Sequence, residues 1–255
     1  HYYFRSKNNR GMKKLFISDL HLHESKPEVT FLFKHFLNGL LTEPESKPEL
    51  YILGDLFDFW IGDDYEQLLY SEIIQQLRML TDAGIKTYLI HGNRDFLIGS
   101  EFLSRTGIEL LEDPTILSIH NKRVMLSHGD LFCIDDTEYQ EYKKMVRNRQ
   151  WQQDFLSLTV DKRLQILGET RDASIQSQQN KSIEIMDINQ EELIAKIQDN
   201  NINILIHGHT HRPNQYKIKI GNRTCLRLVL GEWTASSVKI IEWIETEPKL
   251  IDLIN

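Results

Sequence analysis

Cysteine is nearly missing: the 255 residues contain two, Cys133 and Cys225, with no metal-type spacing between them. That excludes a disulfide framework and fits a reducing, cytoplasmic setting. No apolar run approaches the roughly 18 residues that a membrane-spanning helix needs. An excess of positive charge is missing too. Lys and Arg number 30 against 37 Asp and Glu, a net charge of −7, so the chain as a whole is not built to bind nucleic acid. Internal repeats and low-complexity segments are also lacking. The opening "HYYFRSKNNRG" is polar and has no signal-peptide core, so Met12 reads as a native start and residues 1–11 as a leader or cloning remnant.

What is present is an alternation of strands and helices. "KLFIS" reads as a strand, "EVTFLFKHFLNGLL" as an amphipathic helix and "ELYILGD" as a second strand. A helix over residues 65–83 stops at Gly84, and "KTYLIHG" follows as a third strand. "TILSIH" and "RVMLSHGD" continue as strands, and a helix near 190–200 leads into "INILIHGH". Residues 215–254 alternate apolar and polar positions around "IGNRT", as hairpins of an antiparallel sheet do. Two packed sheets with helices outside are expected.

Five of the apolar strands stop in the same way, at "SDLH", "LGDLFD", "IHGNRD", "LSHGD" and "IHGHTH". Each ending carries Asp, Asn or His, usually beside Gly. A polar turn explains one such ending; five point to a common place, because ligands of α/β sheets gather outside the carboxyl ends of strands. Asp, Asn and His offer oxygen and nitrogen, which suit Mn2+, Zn2+ or Fe2+. Seven candidates and a shared carboxylate exceed what one ion needs. Two-metal sites activate a water for in-line attack on a phosphoester.

These blocks resemble the calcineurin-like metallophosphoesterase pattern of D-x-H, G-D-x-x-D, G-N-H-D/E and G-H-x-H, in that order, over residues 19–211. The resemblance implies an α/β fold, a two-sheet α/β/β/α sandwich. Its core would span 12–134 and 186–255, with 135–185 a helical insertion serving as a lid. It implies two divalent ions, one on Asp19, His21 and His209, the other on Asn93, His128 and His207, with Asp55 bridging them.

One block departs from the pattern: "GNRD" puts Arg94 where the family has a His. Arg cannot act as an acid but can clamp phosphoryl oxygens. That Arg is the habit of one branch, the UDP-2,3-diacylglucosamine diphosphatases of lipid A synthesis. "GDLFDFWIGDD", "HGDLFCIDDTEYQ", "RDASIQSQQNKSIEIMDIN" and "HGHTHRPN" also resemble that branch. The resemblance implies hydrolysis of UDP-2,3-diacylglucosamine to UMP and 2,3-diacylglucosamine 1-phosphate by a metal-bridging hydroxide, with Mn2+ as cofactor. Asp55 and Arg94 would serve catalysis. Asn93, Arg94, Asp136, Ser174, Gln178, Lys181 and His207 would meet the substrate, Gln178 departing from the Asn usual there. A lipid-linked substrate implies a cytoplasmic protein peripheral on the inner membrane of a Gram-negative bacterium, with no nucleic acid as partner. A phosphodiesterase or phosphatase of nucleotides or phosphoproteins would instead carry "GNH". A non-catalytic scaffold of this fold would have lost ligands.

Two divalent ions with Asp19 and Asp55 leave a site of about +2, able to draw a phosphoester to an acidic protein. Residues 143–181 carry eight Lys or Arg against four Asp or Glu. Trp151, Phe155, Leu156, Val160, Leu164 and Leu167 recur there at helical spacing, fitting either a capping subdomain with its own small core or a basic, apolar-lined lid. His23 and His211 read as support, Asp58 as a partner for a neighbouring His, and Asp95 as a group orienting Arg94 or a ligand His. His35 and His120 read as surface residues, and Trp60 as core.

Overall fold

The computed structural model describes residues 12–42, 47–179 and 188–254, the side chains of 171–179 excepted. Strand β1 (Lys14–Ile17) is followed by helix α1 (Pro27–Thr42), β2 (Glu49–Leu53), α2 (Leu68–Asp82), β3 (Thr87–Ile90), α3 (Ser100–Thr106) and β4 (Glu109–Leu111). The hairpin β5 (Thr115–Ile119) and β6 (Lys122–Ser127) precedes three helices: α4 (Thr137–Val146), α5 (Arg149–Leu156) and α6 (Val160–Gln179). Then come α7 (Gln190–Asp199), β7 (Ile204–His207), β8 (Asn214–Ile220), β9 (Arg223–Val229), β10 (Lys239–Trp243) and β11 (Lys249–Asp252).

Two mixed sheets result, ordered β11-β10-β1-β2-β3-β4 and β5-β6-β7-β9-β8. Strands β1 to β4 run parallel, as do β6, β7 and β9. A side chain on a strand faces one side or the other in alternation, and buried parallel strands need apolar residues on both. In β2 all five residues are accordingly buried. Phe16, Tyr51, Leu53 and Ile90 of the first sheet meet Val124, Leu126, Ile204, Ile206 and Leu228 of the second in the inner core. The opposite face of the first sheet packs on α1, α2 and α3, and that of the second on α7. The four layers are those expected.

The tail differs from its expectation. It does not form an antiparallel sheet of its own: β8 and β9 complete the second sheet, while β10 and β11 complete the first. Strand alternation identifies hairpins but not the sheet they join. Helix α3 and strand β4, each short, were not expected. Helix α2 ends at Ala83, just before Gly84 in the left-handed region (φ 81°).

The helical segment shares the main core instead of forming a separate one. Phe155 is buried within the cluster under the first sheet, and Trp151, Val160, Leu164 and Leu167 pack against it. Trp151 and Phe155 stack with centroids 5.0 Å apart. Arg163, from α6, is fully buried; it donates to Ile61 O at 2.6 Å and to the Asp64 carboxylate.

Candidate active site

The carboxyl ends of β1, β2, β3, β6 and β7 converge at one edge of the sandwich. Glycine makes the approach possible: a side chain at Gly92 would overlap the Asp55 carboxylate, and one at Gly208 the Asp19 carboxylate. Asp19, His21, Asp55, His209 and His211 all adopt positive φ, between 48° and 68°. Backbone bonds hold these turns. Asp19 N–H donates to Gly54 O (3.1 Å), His21 N–H to Asp55 O (3.0 Å) and Gly208 N–H to His128 O (2.8 Å).

Asp55 lies at the centre. Its Oδ1 accepts the Arg94 backbone N–H at 2.8 Å, and its Oδ2 lies 3.8 Å from His21 Nε2 and 3.7 Å from His128 Nε2. Asp95 was expected to orient Arg94 or a ligand His; it acts on the backbone instead. Its carboxylate accepts the backbone N–H groups of Leu56 (2.7 Å) and Gly92 (2.8 Å), fixing the two loops that carry Asp55 and Asn93.

Around Asp55 the side chains fall into two groups. On one side are Asp19, His21 and His211, whose ligand-type atoms lie within 4.8 Å of one another. His21 Nε2 and His211 Nε2 face each other at 3.2 Å, and His211 Nε2 is 3.4 Å from Asp19 Oδ1. Asp58 Oδ1 stands 3.9 Å from His21 Nδ1, the neighbour expected of it. On the other side are Asn93, His128 and His209. Asn93 Oδ1 is 2.9 Å from His128 Nε2 and 3.0 Å from His209 Nδ1. His128 Nδ1 donates to Leu53 O at 2.9 Å, which directs Nε2 inward.

His207 joins neither group, which corrects the expected ligand set. The ring lies on the outer face of the second sheet. Its Nδ1 donates to Gly208 O (2.8 Å), and its Nε2 accepts from Arg227 Nε (2.9 Å), so neither nitrogen is left for a cation. His209 stands with Asn93 and His128, not with Asp19 and His21; that place is taken by His211. The signal was in the sequence: G-H-x-H counted from Gly208 falls on His209 and His211.

Electrostatics mark the centre as a place for positive charge. Burial pushes the Asp55 carboxyl up to about 7. Burial pulls His128 down, but Asp55, Asp19 and Asp130 outweigh it and raise the imidazole to about 9. His21 and His209, desolvated by burial, fall to about 4. Burial and Arg227 lower His207 to about 3.

Beside the centre lies a cleft of about 530 Å³, reached by Asn93, Arg94 and His209. Its far walls are mostly apolar and include Phe59, Phe96, Tyr142, Met145, Trp151, Phe155 and Leu167. Asp136 lines it as well and caps α4, accepting the Tyr139 N–H at 3.1 Å. Ser174 and Gln178 fall on the last turns of α6, with their side chains outside the described residues, as all of Lys181 is. Trp60 is core, packed on Phe57, Tyr70 and Phe102.

A sandwich of two mixed sheets with Asp, Asn and His at the strand ends is a phosphoesterase architecture. The calcineurin-like phosphoesterase family model matches residues 12–213, and the chain belongs to that family. It is 43% identical over 231 residues to UDP-2,3-diacylglucosamine hydrolase of Haemophilus influenzae (strain PittGG), covering 91% of this chain and 94% of that one. For the Histophilus somni (strain 2336) protein of the same name the identity is 44% over 225 residues, with 88% and 94% covered. For the Marinobacter nauticus protein, also so named, it is 40% over 234 residues, with 92% and 93% covered.

The family implies divalent metals, and the residues fit them. The donors are oxygen and nitrogen, two carboxylates lie fully buried side by side, and His21 Nδ1 is buried with no hydrogen-bond partner. The negative charge of Asp55, Asp19 and Asp130 that raises His128 is charge a cation would meet there.

Proposed function

We propose that this chain hydrolyses the diphosphate of UDP-2,3-diacylglucosamine, giving UMP and 2,3-diacylglucosamine 1-phosphate. The observation that carries the reading is the junction of two environments: a strand-end cluster of Asp, Asn and His that opens, past Arg94, into an apolar cleft. Relatives at 40–44% identity over most of the chain bear that substrate's name.

One ion would rest on Asp19, His21 and His211, the other on Asn93, His128 and His209, with Asp55 shared; Mn2+ suits this oxygen and nitrogen set. Bound there, the ions supply Lewis acidity and a water of lowered pKa. The chain's own residues do the rest. Arg94 lies at the mouth of the cleft, where its guanidinium can give two parallel hydrogen bonds to phosphoryl oxygens and oppose the charge that develops on them. Asn93 and Asp136 complete the polar end, with Ser174, Gln178 and Lys181 assigned as further substrate contacts. Acyl chains take the apolar far end, where water is excluded.

In this reading 12–134 and 186–255 form the phosphoesterase core and 135–185 the lid. Among the described residues no helix is long and apolar enough to cross a membrane. A lipid-linked substrate is met at the surface of the inner leaflet, which the exposed Tyr142, Met145, Leu156 and Leu158 beside the cleft suit.

The test is UMP release from UDP-2,3-diacylglucosamine by metal-stripped protein reloaded with Mn2+, beside p-nitrophenyl phosphate and bis(p-nitrophenyl) phosphate. Strong preference for the lipid-linked diphosphate is expected. Equal or better turnover of the chromogenic esters would overturn the assignment.

A further inference from the structure

Helix α4 carries a line of side chains that reach the candidate ligands' own loops. Residues four apart lie on one face of a helix, and Tyr139 and Lys143 form such a line with Arg147, the residue that caps the C-terminus of α4. Tyr139 Oη donates to Asp130 Oδ2 at 2.7 Å, and Lys143 Nζ lies 2.9 Å from the same oxygen. Asp130 follows His128 by two residues and is buried. Arg147 Nη2 donates to Gly92 O at 2.8 Å, one residue before Asn93, and its guanidinium sits 5.1 Å from the Phe96 ring centroid. Gln140 adds a bond to Cys133 O at 2.9 Å. All these ties run to the Asn93–His128 side of the centre. Among the described residues, the bonds around Asp19, His21 and His211 come instead from the β1 and β2 turns, Glu232, Trp233 and the 207–211 loop. Among the described residues, α4 is the one helix bonded to both the Gly92 and the Asp130 backbone segments.

The same helix borders the cleft: Tyr142, Met145 and Val146 line it, as do Tyr139, Lys143 and Arg147 themselves. One helix therefore touches both the chamber for the acyl chains and the backbone under Asn93 and His128.

We infer that Lys143 and Arg147 are positioning residues for one half of a two-ion centre. By holding the loops of His128 and Asn93, they set the affinity of the ion on that half and leave the other half alone. The inference rests on the two-ion reading above. Its corollary is reciprocal: whatever seats α4, including acyl chains in the cleft, tightens that ion, and the ion tightens their hold in turn. Losing a group bonded to a ligand typically weakens metal affinity about 10–100-fold, and a support that acts through the ligand's loop falls at the lower end of that range.

Titration calorimetry with Mn2+ on the metal-stripped full chain tests this. The parent should show two binding events. In Lys143→Ala/Arg147→Ala one event should weaken tenfold or more and the other stay within about twofold. Lys143→Arg/Arg147→Lys, which keeps both donors, should restore most of the affinity. Two events of parental strength in the alanine variant would overturn the inference. So would equal weakening of both, which would mean loss of folding support only; a melting curve on each variant identifies that case. A parent that binds only one ion would instead refute the two-ion reading itself.

Discussion

At the strand ends, Asp19, Asp55 and His128 each have a hydrogen bond to the backbone of a neighbouring turn, and all three are buried. Along α5 and α6, the Arg163 bonds to Ile61 O and Asp64 aside, the ties are of another kind. Trp151 and Phe155 stack on each other, Val160, Leu164 and Leu167 lean on the core, and Leu156 and Leu158 remain exposed. The first region fixes atoms in direction as well as place; the second fixes volume and polarity. Reaction chemistry needs the former and recognition of acyl chains needs only the latter, so the two regions should fail differently.

The sharpest break is at Asp55. Asp55→Asn removes the charge that both halves share, and turnover should fall by about a hundredfold or more with loss of bound metal. Activity near the parental level, with both ions counted by metal analysis, would end the two-ion assignment. Arg94→Ala should come next. A lost donor to developing charge costs about a hundredfold in turnover, here with metal content and melting temperature unchanged, because Arg carries no acceptor for a metal. Arg94→Lys should recover only part, since an ammonium keeps the charge but not the fork.

A third comparison sets His211 against His207. His211→Ala should weaken one ion by about tenfold or more. His207→Ala should leave metal stoichiometry intact and lower the melting temperature, because it removes the buried acceptor of the Arg227 Nε–H bond. The reverse pattern would restore the ligand set first expected from the sequence.

On the apolar side, Trp151→Ser with Phe155→Ser should reduce kcat/KM for the diacylated substrate by about tenfold, the size of losing about 1.5 kcal/mol of apolar contact. Bis(p-nitrophenyl) phosphate turnover should change little. Equal losses on both would make these rings merely structural. The smallest effect lies at the Arg163–Asp64 pair, which ties α6 to the loop after Ile61. The Arg163 guanidinium holds the Asp64 carboxyl below its usual value. A depressed carboxylate stabilises the fold above its unfolded pKa, and that stabilisation disappears as pH falls through the folded value. Asp64→Asn should therefore melt lower than the parent at pH 7, with the gap closing below about pH 4.

How much of this was legible in the sequence follows the same division. Strand ends announce themselves, since an apolar run that stops at Asp, Asn or His beside Gly is visible in one dimension. So were α1, α2 and α7, whose apolar periodicity matches the faces they bury. His207 misled because it lies within "HGHTH", two residues from His209. Only the pleat of β7, which turns it to the same face as Leu205 and toward Arg227, shows that it points outward. Asp95 was hidden for another reason: it acts on backbone N–H groups brought near it by folding, which no spacing in the chain reports. The sheet membership of β8 to β11 was beyond reach because alternation gives a strand's faces but not its neighbours.

The positive φ angles at the strand ends bear on what engineering of this protein can achieve. Asp19, His21, Asp55, His209 and His211 account for five of the eight non-glycine residues with such angles among those described. A side chain held in that region costs of order 1 kcal/mol or more. Glycine would relieve it at each position, and where no buried partner is lost with the side chain the molecule would then tolerate more heat. Heat tolerance and turnover are opposed at these five positions, so a screen that rewards survival alone should collect substitutions here and return folded, hardy, inactive proteins.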